Sequence, residues 1–146
     1  MKNVIMLMLI LVMYTALTPL CVAREQLTVY VDNTSSLDKA INKIVNKEHV
    51  AIIRAMVWVE SRDDSTAVSA TGDYGIMQVN KKTWYKKYDF RRMTELEYGL
   101  QAGYDIFKYC LEVSCGDIRH ALKLYNGSWS YPDRIYMAME KKEYES

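Results

Sequence analysis

The sequence predicts one domain built mostly of α-helices, and three observations support this. Its 146 residues suffice for a single hydrophobic core. Only two prolines and six glycines interrupt the chain. No long segment alternates apolar and polar side chains as half-buried strands do, whereas apolar residues recur at helical spacing in several places. Half of the residues are hydrophobic and a quarter are charged, which excludes a disordered chain, a collagen or a coiled coil.

The first 23 residues have the pattern of an export signal. Lys2 precedes an unbroken apolar stretch from Val4 to Leu20, and Ala23 ends the segment with a small side chain. We expect cleavage after Ala23, which leaves residues 24–146 as the exported domain. One alternative is a retained membrane anchor, for which 17 apolar residues are at the short end. Another is a lipid attached at Cys21, although small residues do not precede this cysteine.

Two helices are predicted early in the exported domain. Leu27 to Val31 alternates briefly and predicts an extended arm. Ser36 is the expected cap of a first helix. The apolar residues of this helix recur at helical spacing, at Leu37, Ile41, Ile44 and Val45. A second helix is predicted from about Glu48 to Ser61.

An irregular loop follows the second helix. The stretch from Ser61 to Lys82 is polar, contains glycine and has no periodicity. A long irregular loop in a small helical domain is usually functional. After it, Thr94-Glu95-Leu96-Glu97 predicts a capping box that opens a long helix toward Cys110.

Two shorter helices complete the predicted domain. Asp117 is the expected cap of one, which ends near Tyr125 with Gly127 as its stop. Pro132 suits the first turn of the last helix, which ends in the charged residues 141–146.

Charge and cysteine content bound the partners and cofactors. Removal of the segment that holds Lys2 leaves 18 basic and 18 acidic residues, so no nucleic-acid partner is expected. In an oxidising compartment Cys110 and Cys115 are predicted to form a disulfide, with two free buried thiols as the alternative. They predict no zinc site, because zinc takes four ligands and His49 and His120 stand isolated in the sequence. No metal and no cofactor is predicted.

Glu60 is the residue whose position predicts chemistry. Met56 and Ile53 precede it at helical steps, so Glu60 lies on the buried stripe of its helix. It is also in the last turn, where the helix dipole disfavours a negative charge. Both effects raise the pKa of a carboxyl, and a carboxyl that stays protonated near neutral pH suits a general acid. The alternative is that Glu60 turns outward or pairs with Arg54 or Arg62.

The motifs around Glu60 resemble those of the soluble lytic transglycosylase family. The first runs stand at the spacing of that family without a gap: Glu60-Ser61-Arg62, Ala67-Val68-Ser69, Gly72 and Gly75-Ile76-Met77-Gln78. Further landmarks follow at matching separations: Gly103, Gly116-Asp117, Ala121-Leu122 and Tyr125-Asn126. The similarity covers about residues 37–136.

This resemblance implies a lysozyme-like fold of the mostly helical α+β class and cleavage of bacterial peptidoglycan. The bond is the β-1,4 link between N-acetylmuramic acid and N-acetylglucosamine, cut without water to leave a 1,6-anhydromuramoyl end. Glu60 would protonate the glycosidic oxygen and then, as a carboxylate, take the proton of the C6 hydroxyl. The N-acetyl group of the substrate would stabilise the cationic intermediate, so no second carboxylate is required. Glycan strands are the implied partner, and the periplasm is the implied location.

Three of the implied substrate-binding residues lie close to Glu60 in the family pattern. Ser61 would orient the sugar or the catalytic carboxyl through its hydroxyl. Tyr125 would lie beneath Glu60 and hydrogen-bond it, with Asn126 holding that loop.

The loop supplies the other three. Met77 and Gln78 would line the cleft, and Gly75 would let the backbone approach the glycan. Core packing is the alternative for Met77, and a simple turn is the alternative for Gly75. After Asn126 the chain departs from the family pattern with a shorter loop, Gly127-Ser128-Trp129-Ser130, whose tryptophan either stacks on a sugar or is buried.

Two alternative functions share this pattern. A hydrolase would need a second acid to activate water, and Asp73 is better placed for that than Asp63 or Asp64. A non-catalytic module would bind glycan as a scaffold in an envelope machine. Small single-domain family members with a signal resemble those that open the wall for secretion systems, conjugation machines or type IV pili. Components of such an apparatus are therefore expected partners, and the membrane is contacted only through an uncleaved signal segment.

Overall fold

The computed structural model describes residues 34–142, and the predicted mostly helical class is confirmed. In chain order the elements are α1 (Ser36–Ile44), a 3₁₀ turn (Lys47–His49), α2 (Val50–Ser61), β1 (Asp73–Tyr74), β2 (Val79–Asn80), α3 (Lys81–Trp84), α4 (Leu96–Val113), α5 (Ile118–Asn126) and α6 (Ser130–Lys141). The predicted export signal and the predicted arm from Leu27 to Val31 lie outside the described residues. Among residues 34–142, no helix combines the length and the apolar character that a bilayer crossing requires.

Helix α1 begins as the sequence predicts, shifted by one residue. Its cap is Ser35, whose hydroxyl accepts a hydrogen bond from the backbone N–H of Asp38 at 3.0 Å. Leu37 and Ile41 are buried against the rest of the domain. The helix is therefore stabilised by its capping hydroxyl at one end and by its buried apolar face.

Helix α2 is the central element of the domain. It packs against α1 and α6, and its middle residues are almost all buried: Ile52, Ile53, Ala55, Met56 and Val57. Burial on several sides explains why its hydrophobic residues do not follow a narrow stripe. The helix ends abruptly, because Arg62 and Asp63 both adopt the left-handed conformation, with φ of 55° and 68°.

The predicted capping box of the long helix is wrong. Helix α4 begins at Leu96, and its cap position is Glu95 rather than Thr94. The Glu95 carboxylate makes no capping hydrogen bond, because it binds the guanidinium of Arg92 at 2.9 Å. The long helix itself is confirmed, and it extends three residues beyond Cys110.

The last two helices confirm their predicted signals. The Asp117 carboxylate accepts a hydrogen bond from the backbone N–H of His120 at 3.0 Å and caps α5. Gly127 ends that helix in the left-handed conformation, with φ of 88°. Pro132 lies in the first turn of α6, where its missing N–H is not needed.

The irregular loop contains structure that the sequence did not predict. β1 and β2 form an antiparallel hairpin in which Asp73 pairs with Asn80 and Tyr74 with Val79. Val68 adds an isolated bridge to Tyr74. The hairpin leads directly into α3, a single helical turn. Strands of two residues carry no readable periodicity, which is why the pattern indicated only a loop.

The structure contradicts the predicted disulfide. Cys110 and Cys115 are both free thiols. Cys110 is buried within α4, whereas Cys115 follows the end of that helix with φ of 53° and is exposed to solvent. Because one side chain faces inward and the other outward, their short separation in sequence does not bring them into bonding geometry.

Candidate active site

A cleft of about 550 Å³ opens between the end of α2, the hairpin and helices α4 and α5. Its lining combines two acids with amides and aromatic rings: Glu60, Asp73, Gln78, Val79, Asn80, Thr83, Trp84, Ile106, Cys110, Leu124, Tyr125, Asn126 and Gly127. These residues come from six separate elements: α2, β1, β2, α3, α4 and α5.

The end of α2 is tied to the loop beside Glu60. The Ser61 hydroxyl donates to the backbone carbonyl of Ile76 at 2.9 Å, with the carbonyl of Val57 also 3.2 Å away. Ser61 therefore holds the helix end against the loop. This differs from the predicted role of orienting the sugar or the catalytic carboxyl, because the hydroxyl is engaged by backbone.

A bidentate ion pair fixes the turn that follows. Both terminal nitrogens of Arg54 donate to the two carboxylate oxygens of Asp63 at 2.7 Å, and its Nε lies 3.4 Å from a carboxylate oxygen of Asp38. Arg62 places its guanidinium over the Trp58 ring, 4.7 Å from the centroid. Both arginines that were alternative partners of Glu60 are thus engaged elsewhere.

The Glu60 carboxyl is held in an environment that favours its protonated form. Its pKa is raised from 4.5 to about 7, mainly by burial, and the nearby carboxylate of Asp73 contributes to the rise. The Tyr131 hydroxyl and the positive charge of Arg134 lower the pKa, but by less. Desolvation therefore outweighs both stabilising partners.

Asp73 has the opposite character in the same cleft. Partial burial raises its pKa, but hydrogen bonds from Thr71, Asn80 and Ser69 together lower the pKa below the ordinary value. The amide of Asn80 donates at 2.7 Å and the hydroxyl of Ser69 also at 2.7 Å. Asp73 is therefore an anion at neutral pH, while Glu60 is divided between its two forms.

The family is identified by its domain model. The Transglycosylase SLT domain matches residues 39–132, from α1 into the first turn of α6. The chain belongs to the SLT family. No curated protein and no solved structure matches the chain. The SLT domain indicates lytic transglycosylase activity on peptidoglycan, and its lysozyme-like fold agrees with the helical architecture and small sheet seen here.

Gln78, which was predicted to line the cleft of this SLT domain, does so, and Asn126, which was predicted to hold the loop, also lines it. The side-chain amide of Gln78 donates to the backbone carbonyls of Gly75 at 3.0 Å and Ala67 at 3.2 Å. Gln78 itself has a φ of 47°, so these two hydrogen bonds stabilise a strained backbone at the cleft.

Tyr125 lines the cleft but does not hydrogen-bond Glu60 as predicted. Its hydroxyl donates to the backbone carbonyl of Met77 at 2.8 Å. The tyrosine that interacts with the Glu60 carboxyl is Tyr131, whose ring stacks on Tyr125 with 6.5 Å between centroids. Tyr125 thus lies in the cleft with Glu60, but the hydroxyl that interacts with Glu60 belongs to Tyr131.

Gly75 and Met77 have structural positions rather than the predicted cleft positions in the SLT domain. Gly75 has a φ of 74°, and a Cβ there would collide with the backbone carbonyl of Met93. The Met77 side chain is fully buried and packs where a Cβ on Gly103 would stand. Neither lines the cleft, so the alternatives of core packing and a required turn are the correct ones.

Several site residues were not found from the sequence. Tyr131 and Arg134 act on Glu60 from α6, and Trp84 lines the cleft from the unpredicted α3. Trp129 is 58% exposed, so the alternative of a buried tryptophan is wrong. It stacks on the ring of His120 at 5.8 Å. Among residues 34–142, no group of three or more His, Cys, Asp or Glu side chains is arranged to hold a metal ion.

Proposed function

We propose that this SLT domain is an active lytic transglycosylase in which Glu60 serves as acid and then as base. The observation that supports it is the Glu60 carboxyl in the cleft, with a pKa of about 7. A group with this pKa exchanges protons readily in both directions at neutral pH. One residue can therefore perform both proton transfers that the reaction requires.

In the proposed reaction the β-1,4 bond between N-acetylmuramic acid and N-acetylglucosamine breaks as Glu60 protonates its oxygen. The N-acetyl group of the muramic acid stabilises the positive charge that develops at C1. Glu60, now a carboxylate, takes the proton of the C6 hydroxyl, and O6 bonds to C1 to form the 1,6-anhydro ring. Glu60 ends the cycle protonated, and no water is consumed.

A hydrolase is the second candidate, because Asp73 lies in the same cleft as an anion. An anionic carboxylate could activate water on the other face of the sugar. However, three donors already satisfy the Asp73 carboxylate, which weakens it as a base.

Product analysis separates the two candidates. Purified peptidoglycan digested with the exported domain is analysed by mass spectrometry. Anhydromuramoyl ends, lighter than reducing ends by one water, are the expected result. Reducing ends would assign the hydrolase, and undigested substrate with clear binding would assign a non-catalytic scaffold.

We also propose that the protein is exported to the periplasm and opens the wall locally for an envelope-spanning machine. The support is the signal-like segment from Lys2 to Ala23 together with the small size of the domain. Fractionation and intact-mass measurement of the exported protein test the location, and a mature chain that begins at Arg24 is expected. Deletion of the gene should reduce assembly of the secretion, conjugation or pilus apparatus, and the Glu60→Gln variant should fail to restore it.

A further inference from the structure

A basic and aromatic surface borders the cleft. It is formed by residues 81–92, here called the basic segment, which comprises α3 and the turn after it. The basic segment holds six Lys or Arg residues and one Asp, a net charge of +5, whereas the whole sequence carries +1. The rest of the sequence therefore carries −4. Positive charge concentrated in this way favours an anionic partner.

The available charge lies on the lysines of this segment. Its two arginines are paired, Arg91 with Asp89 at 2.7 Å and Arg92 with Glu95 at 2.9 Å. Four lysines form no ion pair with any residue in the described part of the chain: Lys81, Lys82, Lys86 and Lys87. Their ammonium groups are therefore free to meet an external anion.

Aromatic rings hold three of these ammonium groups in place, including that of Lys81, which lies 5.7 Å from the centroid of the Tyr74 ring. The Lys87 nitrogen lies 5.6 Å from the centroid of the Trp84 ring and 5.3 Å from that of Tyr88. The Lys86 nitrogen lies 5.8 Å from the Tyr85 ring. Ring faces attract a cation but carry no net charge. The rings thus order the ammonium groups without neutralising them.

The basic segment is joined firmly to the cleft. Trp84 lines the cleft, and Phe90 packs edge-on against Tyr74 of the hairpin with 5.5 Å between centroids. The Tyr98 hydroxyl accepts a hydrogen bond from the backbone N–H of Asp89 at 2.8 Å. A strand that leaves the cleft across α3 would therefore meet a fixed array of positive charges.

We propose that the basic segment binds the carboxylates of the peptide stems on the glycan strand being cleaved. This inference rests on the proposed function, because it takes peptidoglycan as the substrate. The sugars of the strand are neutral, and its negative charge resides on the peptides attached to muramic acid. The cleft itself holds the acids Glu60 and Asp73 and suits the neutral sugars, whereas the lysines suit the acidic peptides.

The experiment compares two charge variants on two forms of one polymer. Lys82→Gln/Lys86→Gln/Lys87→Gln removes three charges from the basic segment. Lys39→Gln/Lys47→Gln/Lys141→Gln removes three exposed charges from residues outside the cleft lining and is the matched control. The polymer is purified glycan strand with its peptides, and the same strand after carbodiimide and ammonia have converted the peptide carboxylates to neutral amides. Affinity is measured on immobilised strands, and KM and kcat are measured in parallel.

The expected result is a loss of affinity and a rise in KM of about three- to thirtyfold for the first variant on peptide-bearing strands. Its kcat should be unchanged, and the loss should shrink at high salt because exposed charges are screened. On amidated strands neither variant should lose affinity relative to the parent protein. Equal losses on both polymers, or equal losses in both variants, would overturn the proposal.

Two further measurements keep the outcome interpretable. If the parent protein cleaves neither polymer, the proposed function fails, while the affinity measurement still tests the basic segment. Vesicles of phosphatidylglycerol are the third probe. Binding to vesicles that the first variant loses, with unchanged affinity for peptide-bearing strands, would overturn the proposal and assign the segment to a lipid surface. Circular dichroism melts of both variants show that each remains folded.

Discussion

Two carboxyl groups share one cleft, and their pKa values are shifted in opposite directions. Glu60 stands at the carboxyl end of α2, and burial raises its pKa to about 7. Asp73 stands in the hairpin, where three hydrogen-bond donors lower its pKa despite partial burial. At neutral pH the same chemical group is thus partly protonated in one place and ionised in the other.

The difference follows from what each region can offer a carboxylate. The last turn of a helix presents backbone carbonyls, which are acceptors and do not stabilise a negative charge. The hairpin region presents the hydroxyls of Ser69 and Thr71 and the amide of Asn80, which are donors. A buried carboxyl with few hydrogen-bond donors therefore has a raised pKa and can act as an acid, whereas a carboxyl with several donors has a lowered pKa and remains an anion.

Exchanging each carboxyl for its amide is the strongest test of this comparison. Glu60→Gln keeps the shape of the side chain but can neither donate nor accept the required proton. General acid–base assistance is worth about a hundredfold to ten-thousandfold, and both steps use Glu60, so we expect a loss at or beyond the upper end. Asp73→Asn should retain much of the activity. The assay is loss of turbidity of purified peptidoglycan, with thermal melts to show that both variants are folded.

The opposite pattern would change the mechanism. Near-normal cleavage by folded Glu60→Gln would contradict the role of Glu60, and collapse of activity in Asp73→Asn would favour a hydrolase with two carboxylates.

The raised pKa of Glu60 predicts a pH dependence of both activity and stability. Activity should fall above about pH 7, because the first step needs the protonated carboxyl. The unfolded chain releases this proton at lower pH than the native one, so the free energy of unfolding should decrease between pH 4.5 and about 7. The contribution is up to about 3 kcal/mol. Denaturant melts across this range measure it, and Glu60→Gln should lack that part of the slope. A parent and variant with parallel stability profiles would show that the Glu60 pKa is not raised.

Substitution of the two tyrosines near Glu60 distinguishes an effect on stability from an effect on the pKa of Glu60. Tyr125→Phe should destabilise the fold by about 1–3 kcal/mol, because it leaves the Met77 carbonyl without its donor. Tyr131→Phe should cost less, since the buried Tyr131 hydroxyl has no close hydrogen-bond partner among the described residues. It should instead raise the pKa of Glu60 further and shift the alkaline limb of the activity profile to higher pH. A shift caused by Tyr125→Phe and not by Tyr131→Phe would reverse this assignment.

The cysteines extend the comparison to another titratable group and give the smallest expected effect. Cys115 is exposed, whereas burial raises the pKa of the Cys110 thiol and lowers its thiolate fraction. We expect a thiol reagent to modify Cys115 about tenfold faster or more in the folded protein. In denaturant both should react, and a third reactive thiol would show that the segment with Cys21 is retained. Absence of any reactive thiol in the denatured, unreduced protein would restore the disulfide.

The helices could be predicted because their signals are local. Asp117, Gly127 and Pro132 act on backbone within a few residues of themselves, and all three lie where the sequence indicates. The capping box failed because Arg92 competes for Glu95, and a four-residue motif gives no information about that competitor. The two-residue strands are formed by their pairing and by the loop around them, so no pattern within them predicts their position.

The site could be predicted only in part, for a related reason. Glu60 is found from helical periodicity, since its burial depends on the helix that carries it. The position of Tyr125 depends on a partner 48 residues away, and that of Gly75 on the carbonyl of Met93. Tyr131 reaches Glu60 only because α6 packs on α2. Contacts between distant segments leave no trace in local spacing, which is why these residues were assigned wrongly or missed.

The carbonyl of Met93 has a consequence for protein engineering. It is approached closely by two glycines, and a Cβ on Gly99 would lie 2.5 Å from its oxygen, as one on Gly75 would also collide with it. The hairpin and the first turn of α4 are therefore pinned to a single point, and a chimaera must transfer residues 75–99 as one block. Within that block, Tyr88 and Phe90 pack against the core, whereas Tyr85, Lys86, Lys87, Arg91 and Arg92 are exposed. These five exposed side chains can be substituted to change the surface beside the cleft, while the packed residues keep the geometry of the cleft.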